Sequence, residues 1–236
     1  MIVNIGSLVS LIDILLNQSF CCRQDMKLLE STEENIQLAA NVVRNGGIVI
    51  YPTETVYGLG CDPGDKDATQ KICEIKGRAD KPLPLICANM EAAHRIVEFN
   101  PVAERLANVF WPGPLMLVLP SKMKYGMWVT HGSSTLGVRI SDHPVASRLT
   151  KLSGGVLVST SANISGKEPA LTAQEALEQV GQQVNIILDG GPSQRTESST
   201  VLDVSTEELW LLRKGPVTAE QIKEALKNLQ MPTDLN

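Results

Sequence analysis

Lys76 and Arg78 stand two apart on either side of Gly77, and Ser161 and Asn163 stand two apart on either side of Ala162. Two cations at that spacing on an irregular segment face one local surface, a flexible ammonium beside a planar guanidinium fork. A hydroxyl and an amide at similar spacing offer donors and acceptors to the polar edge of a nucleotide. Together the pairs could hold a phosphate chain and the nucleotide that carries it. Each pair alone also has a plainer reading. Lys76 and Arg78 fall at the end of a predicted helix, where cations offset the negative C-terminal end. Serine and asparagine in a loop commonly cap turns.

The sequence offers no glycine cradle for phosphate. The pattern G-x-x-x-x-G-K-[ST] does not occur. Gly58-Leu59-Gly60 begins like a dinucleotide fingerprint, but its third glycine falls one place late at Gly64, and Pro63 blocks a helix start. These glycines read as a turn, so phosphate binding must come from side chains. His94, His131 and His143 share no metal-like spacing, and no Ser-His-Asp or Cys-His signature is present. No metal ligand is assigned. The pattern suits an enzyme that works by positioning and charge stabilisation.

Around the two pairs runs an ordered series of blocks: YPTETVYGLG at 51–60, KGRADKPLPL at 76–85, WPGPL at 111–115, TLGVRISDHP at 135–144, STSANISGKEP at 159–169, and STVLD with LRKG between 199 and 215. The series resembles the YrdC family, the threonylcarbamoyl-AMP synthases that begin threonylcarbamoyl-adenosine synthesis in tRNA. The resemblance implies one α/β domain: a twisted sheet of mixed parallel and antiparallel strands, flanked by helices, with an open ligand cavity against it. It implies a nucleotidyltransferase that takes L-threonine, bicarbonate and ATP, with Mg2+ bridging the phosphates. Lys76 and Arg78 become the catalytic cations. Thr135, Ser159, Ser161, Asn163 and Arg213 join them in the nucleotide site. Thr55, Tyr57, Cys87, Arg139 and Ser199 fall to the threonine site, with Arg139 as partner of the amino-acid carboxylate.

The chain departs from the family pattern in places. Cys87 stands where many relatives carry histidine, Met116 replaces the threonine of P-G-P-x-T, and Lys214 replaces the proline that follows Arg213. None of these removes a charge from the cationic set. Two other functions fit parts of the pattern. One is an RNA-binding module without catalysis, with tRNA or double-stranded RNA as its partner. The other is a carbamoyl-transfer domain like that of hydrogenase maturation proteins, which carry cysteine pairs that this sequence lacks. Downstream proteins that transfer the threonylcarbamoyl group are implied partners of the synthase reading.

These groups need a scaffold, and 236 residues suffice for one large domain. A net charge of −5 and 4% aromatics argue against a stacking nucleic-acid surface, although the local cluster Lys76/Arg78/Lys81 can still attract phosphate. The odd number of cysteines, 5, without C-x-x-C, points to reduced thiols and a cytoplasmic site. Residues 1–25 are apolar but interrupted by Asn4, Asp13 and Asn17, which suits neither a signal peptide nor a membrane span. They read as an N-terminal extension of uncertain role, with the YrdC-like domain over 26–236.

Capping patterns predict helices after Ser31-Thr32-Glu33-Glu34, over 65–76, after Asn89 and Asn100, after Asp142 at Pro144, and after Thr218. Apolar runs predict strands at 47–51, 83–87, 115–119, 136–140, 156–159, 185–189, 201–204 and 209–213. The order loses any strict βαβ rhythm after about residue 110, which favours a mixed sheet.

Overall fold

The computed structural model of the chain describes residues 27–77, 81–122 and 125–227. Segment 1–25, read as an extension, lies outside them, and so does Arg78. Strands in chain order are β1 (Lys27–Glu30), β2 (Val49–Tyr51), β3 (Gly58–Gly60), β4 (Leu85–Cys87), β5 (Leu115–Pro120), β6 (Thr135–Arg139), β7 (Val156–Val158), β8 (Thr160–Ser161), β9 (Ile186–Asp189), β10 (Thr200–Asp203) and β11 (Trp210–Arg213). Helices are α1 (Glu33–Arg44), α2 (Lys66–Lys76), α3 (Met90–Ile96), α4 (Pro101–Phe110), α5 (Met127–Thr130), α6 (Pro144–Leu152), α7 (Ala173–Val180) and α8 (Ala219–Leu226).

Local chemistry starts most of the helices. Thr32, Asp65, Asn89 and Asn100 each accept the backbone N–H three residues on, heading α1 to α4. Thr218 and Gln221 form the predicted capping box of α8. Two caps differ from expectation. Thr32 caps α1 in place of Ser31, so no Ser31–Glu34 box forms. His143 caps α6 in place of Asp142, its Nδ1 accepting from the Val145 N–H.

The expected sheet divides in two. One has the order β1-β9-β2-β3-β8 and the other β11-β10-β5-β6-β4-β7. Both are mixed: β2 pairs parallel with β9 and antiparallel with β3, and β6 pairs parallel with β4 and antiparallel with β5. Gly58–Gly60 is not a turn but a buried central strand of the first sheet. The reason is space. A Cβ on Gly60 would lie 2.3 Å from the Val158 carbonyl oxygen, so only glycine lets β3 pass the end of β7. The chain then steps from β7 in one sheet to β8 in the other through the single residue Ser159.

The apolar stripe of α1, Ile36, Ala39, Ala40 and Val43, follows helical spacing. It meets Val145, Ala146 and Leu149 of α6 over Tyr51, Ile86 and Leu157, so one cluster binds both sheets. A larger core fills the opposite faces, with Leu85, Leu115, Leu117 and Val138 beneath α2 to α4 and α8. Burying each such side chain stabilises by about 1.5–3 kcal/mol relative to exposure. The rigid seam between the sheets is where the polar loops gather.

Candidate active site

A cavity of about 440 Å³ opens over that seam. Its wall includes Lys76, Lys81, Arg139 and Arg213, the hydroxyls of Thr53, Thr55, Ser161 and Ser199, and no carboxylate among the described residues. A cationic cavity thus sits in a chain of net charge −5. Low-dielectric walls concentrate that positive field on an entering anion.

Lys76 is delivered by the last turn of α2 and is 2% exposed. Its ammonium donates to the Ser161 carbonyl at 2.6 Å, the Asn163 carbonyl at 2.9 Å and Asn163 Oδ1 at 3.2 Å. An ammonium has three N–H donors, so the S-x-N segment alone offers an acceptor for each. Ser161 Oγ donates to Asn163 Oδ1 at 2.6 Å, and Asn163 Nδ2 donates to the Lys167 carbonyl at 2.6 Å. Lys76 of the first pair therefore meets Ser161 and Asn163 of the second by direct contact. Gly77 ends α2 in the left-handed region at φ 62°, which turns the chain sharply just before Arg78.

The β2–β3 connection supplies a second wall. Thr53 Oγ1 donates to the Val56 carbonyl at 2.6 Å and accepts from the Thr55 N–H at 3.2 Å, pinning the turn from within. Tyr57 is fully buried; its hydroxyl donates to the Gly191 carbonyl at 2.7 Å and accepts from the Gly190 N–H at 3.2 Å. Burial pushes its phenol up to about 12, so it stays protonated at neutral pH.

Arg139 ends β6 at 4% exposure, with one face on the cavity. Its Nη1 pairs with Glu54 Oε1, and Ser141 Oγ donates to Glu54 Oε2. Burial pulls the guanidinium down to about 10, which leaves it a cation at neutral pH. Arg213 also lines the cavity; its Nε donates to the Ser199 carbonyl at 2.9 Å, tying β11 to the start of β10.

Of the residues singled out in the sequence, Thr55, Tyr57, Lys76, Arg139, Ser159, Ser161, Asn163, Ser199 and Arg213 line this one cavity. Thr135 and Cys87 are not among the residues that line it. Thr135 begins β6 and Arg139 ends it; four residues of strand separate them by about 13 Å. The Thr135 hydroxyl pairs with Ser133 instead. Cys87 packs in the core at 2% exposure, opposite Val156 of β7, and burial pushes its thiol up to about 12. Met116 does line the cavity, so the departure from P-G-P-x-T places a thioether there.

Sequence reasoning missed Thr53, Glu54, Ser165 and Ser198. The first two precede Thr55 in the T-E-T run, and of the two only Thr53 lines the cavity. Lys81 was visible only as part of a basic cluster.

The family model Sua5, YciO and YrdC, described as telomere recombination, matches residues 41–215. A threonylcarbamoyl-AMP synthase of Pyrococcus abyssi is 38% identical over 201 residues, 84% of this chain, and the chain spans only 59% of that relative's length. A threonylcarbamoyl-AMP synthase of Vibrio vulnificus is 38% identical over 185 residues, 77% of this chain and 98% of its own. Among solved structures, P. abyssi Sua5 complexed with L-threonine superposes with a TM-score of 0.82 at 36% identity, covering 89% of this chain and 62% of that one.

Proposed function

The chain belongs to the Sua5/YciO/YrdC family, and from that premise we propose that it is an L-threonylcarbamoyladenylate synthase. It joins L-threonine, bicarbonate and ATP into threonylcarbamoyl-AMP and pyrophosphate, a nucleotidyl transfer that serves threonylcarbamoyl-adenosine formation in tRNA. The observation that carries this reading is one cavity whose wall gathers four cations, Lys76, Lys81, Arg139 and Arg213, with no carboxylate among the described residues. Two anions, a triphosphate and an amino-acid carboxylate, can be held there at once.

In this reading Ser159, Ser161 and Asn163 bind the nucleotide, and Lys76, Arg78 and Arg213 offset the phosphate charge. Arg139 takes the threonine carboxylate, and Thr55, Tyr57 and Ser199 surround the small side chain. The threonine amine takes up CO2 from bicarbonate to become a carbamate. A carbamate oxygen attacks the α-phosphorus in line, and the bond from that phosphorus to the β-bridging oxygen breaks as pyrophosphate leaves. The buried walls shield the carbamate and the mixed anhydride from water.

Lys76 has a second task. Because its donors already hold the Ser161 and Asn163 carbonyls, it shapes the loop that grips the nucleotide as well as contributing charge. Mg2+ fits differently. The cavity wall offers it no carboxylate among the described residues, so it would arrive on the phosphates as part of the substrate. The product would pass in the cytoplasm to proteins that transfer the threonylcarbamoyl group to tRNA.

The test is direct. The protein is incubated with ATP, bicarbonate and labelled threonine, and pyrophosphate and labelled adenylate are measured. Equimolar appearance of both is expected. Pyrophosphate without labelled adenylate, or neither, removes the proposal.

A further inference from the structure

Glu54 is a buried carboxylate that the reaction above does not use. It is 3% exposed and sits between two threonines that line the cavity. Thr53 and Thr55 of this turn line the cavity, while Glu54 between them does not and instead reaches Arg139. Both its oxygens are engaged: Arg139 Nη1 donates to one and Ser141 Oγ to the other. The serine holds the carboxylate against rotation, and the carboxylate holds the guanidinium. An arginine gripped through one nitrogen from behind keeps the rest of its planar fork for a ligand in front.

Stability alone is a poor reason for such a pair. Two charges lose their hydration on burial, and apolar replacements of similar volume are often as stable. The pair here lies at the wall of the cavity rather than in the middle of the core.

We infer that Glu54 is a positioning residue for the amino-acid subsite, fixing the Arg139 fork toward the substrate carboxylate. The inference rests on the assignment of Arg139 to that carboxylate. Reach, rather than charge, is what Glu54 supplies. Glu54→Gln keeps an acceptor for Nη1 and a polar contact for Ser141, so threonine affinity should stay within about threefold. Glu54→Asp keeps the charge but withdraws it by one methylene, so threonine affinity should fall about tenfold or more while ATP affinity changes less than about twofold.

Calorimetric titration of threonine and of ATP into each variant reads both quantities, and thermal midpoints report the fold. Glu54→Ala extends the series where it folds; the Gln and Asp variants decide the question without it. Arg139→Ala separates the two levels of inference. Unchanged threonine binding in Arg139→Ala overturns the carboxylate assignment itself. Weak binding in Arg139→Ala with normal binding in Glu54→Asp overturns the role of Glu54 alone. Equal loss of threonine and ATP affinity in Glu54→Asp also overturns it, because a positioning role at one subsite would not move the other.

Discussion

Lys76 and Arg78 look equivalent as a pair of cations, yet the contacts of Lys76 give it a double role. Lys76 binds two backbone carbonyls of the loop opposite, 85 and 87 residues away. Lys76→Met would take the ammonium from both; the Ser161 carbonyl keeps the Asn163 N–H, and the Asn163 carbonyl loses its Lys76 donor at about 1–3 kcal/mol. Its denaturation midpoint should drop together with ATP binding. Arg78→Ala should instead weaken ATP binding by about 1.5–3 kcal/mol, the range for a hydrogen bond to a charged group, with the midpoint nearly unchanged. Calorimetry and urea denaturation on both variants check the contrast; matching losses in the two would remove it. Cys87 gives a second test. The thiolate is the reactive form, and burial holds this thiol near 12. A maleimide at pH 8 should leave the Cys87 peptide unmodified in the folded protein, with or without ATP and threonine. Labelling that the substrates suppress would return Cys87 to the pocket.

Elements position these residues through a few tight crossings. β3 slips past β7 because Gly60 has no side chain, and Ser159 then carries the chain from one sheet to the other. Gly60→Ala must push either β3 or the Val158 carbonyl aside, since the new Cβ would begin 2.3 Å from that oxygen. Overpacking of this kind costs about 1–3 kcal/mol. The displaced strand leads into Ser159 and Ser161, so ATP affinity should fall with stability. Thr218→Ala is the matching control. It removes the capping box of α8, whose cap residues do not line the cavity, and should lower stability by about 1 kcal/mol with ATP affinity unchanged. Urea midpoints and ATP titrations on the two variants separate the effects. A Gly60→Ala protein with normal midpoint and normal ATP binding would contradict this account of the crossing.

At the scale of the molecule, the first sheet begins at β1, whose four residues pair parallel with β9. The Lys27 N–H donates to the Asn185 carbonyl and the Ser31 N–H to the Asp189 carbonyl, closing both ends of the ladder. The Asp189 carboxylate also lies 3.3 Å from the Tyr57 hydroxyl, so this edge reaches toward the cavity wall. We propose that residues 1–25 are dispensable for catalysis. A chain beginning at Met26 retains β1 and should fold and keep its adenylate-forming rate. A chain beginning at Ser31 loses β1 and exposes the edge of β9, which costs on the order of 2 kcal/mol and invites edge-to-edge association. Activity assays with size-exclusion profiles check both. Loss of activity on removing 1–25 alone would assign that segment to the core or the site.

The helix caps at Asp65, Asn89, Asn100 and Thr218 were legible because each is a bond between residues three apart. The cationic pair and S-x-N were legible as chemistry for the same reason, since their spacing is local. α7 was equally available: Thr172 caps it by accepting from the Glu175 N–H, and Ala173, Ala176 and Val180 repeat at helical intervals. By itself the sequence determined the α/β class, most element positions and the cationic character of a nucleotide site. Only the tertiary structure decided which of those residues share a cavity. Thr135 and Arg139 begin and end one strand, and of the two only Arg139 lines the cavity. Cys87 fell into the larger core because its face of β4, shared with Leu85, packs in the cluster that holds Ala92 and Ala93 of α3. Glu54 shows the converse: nothing local distinguishes it from a surface glutamate, and its partners, Arg139 and Ser141, are 85 and 87 residues away. A spacing pattern records contacts made along the chain, whereas burial and partnership here depend on the closing of two sheets over one seam.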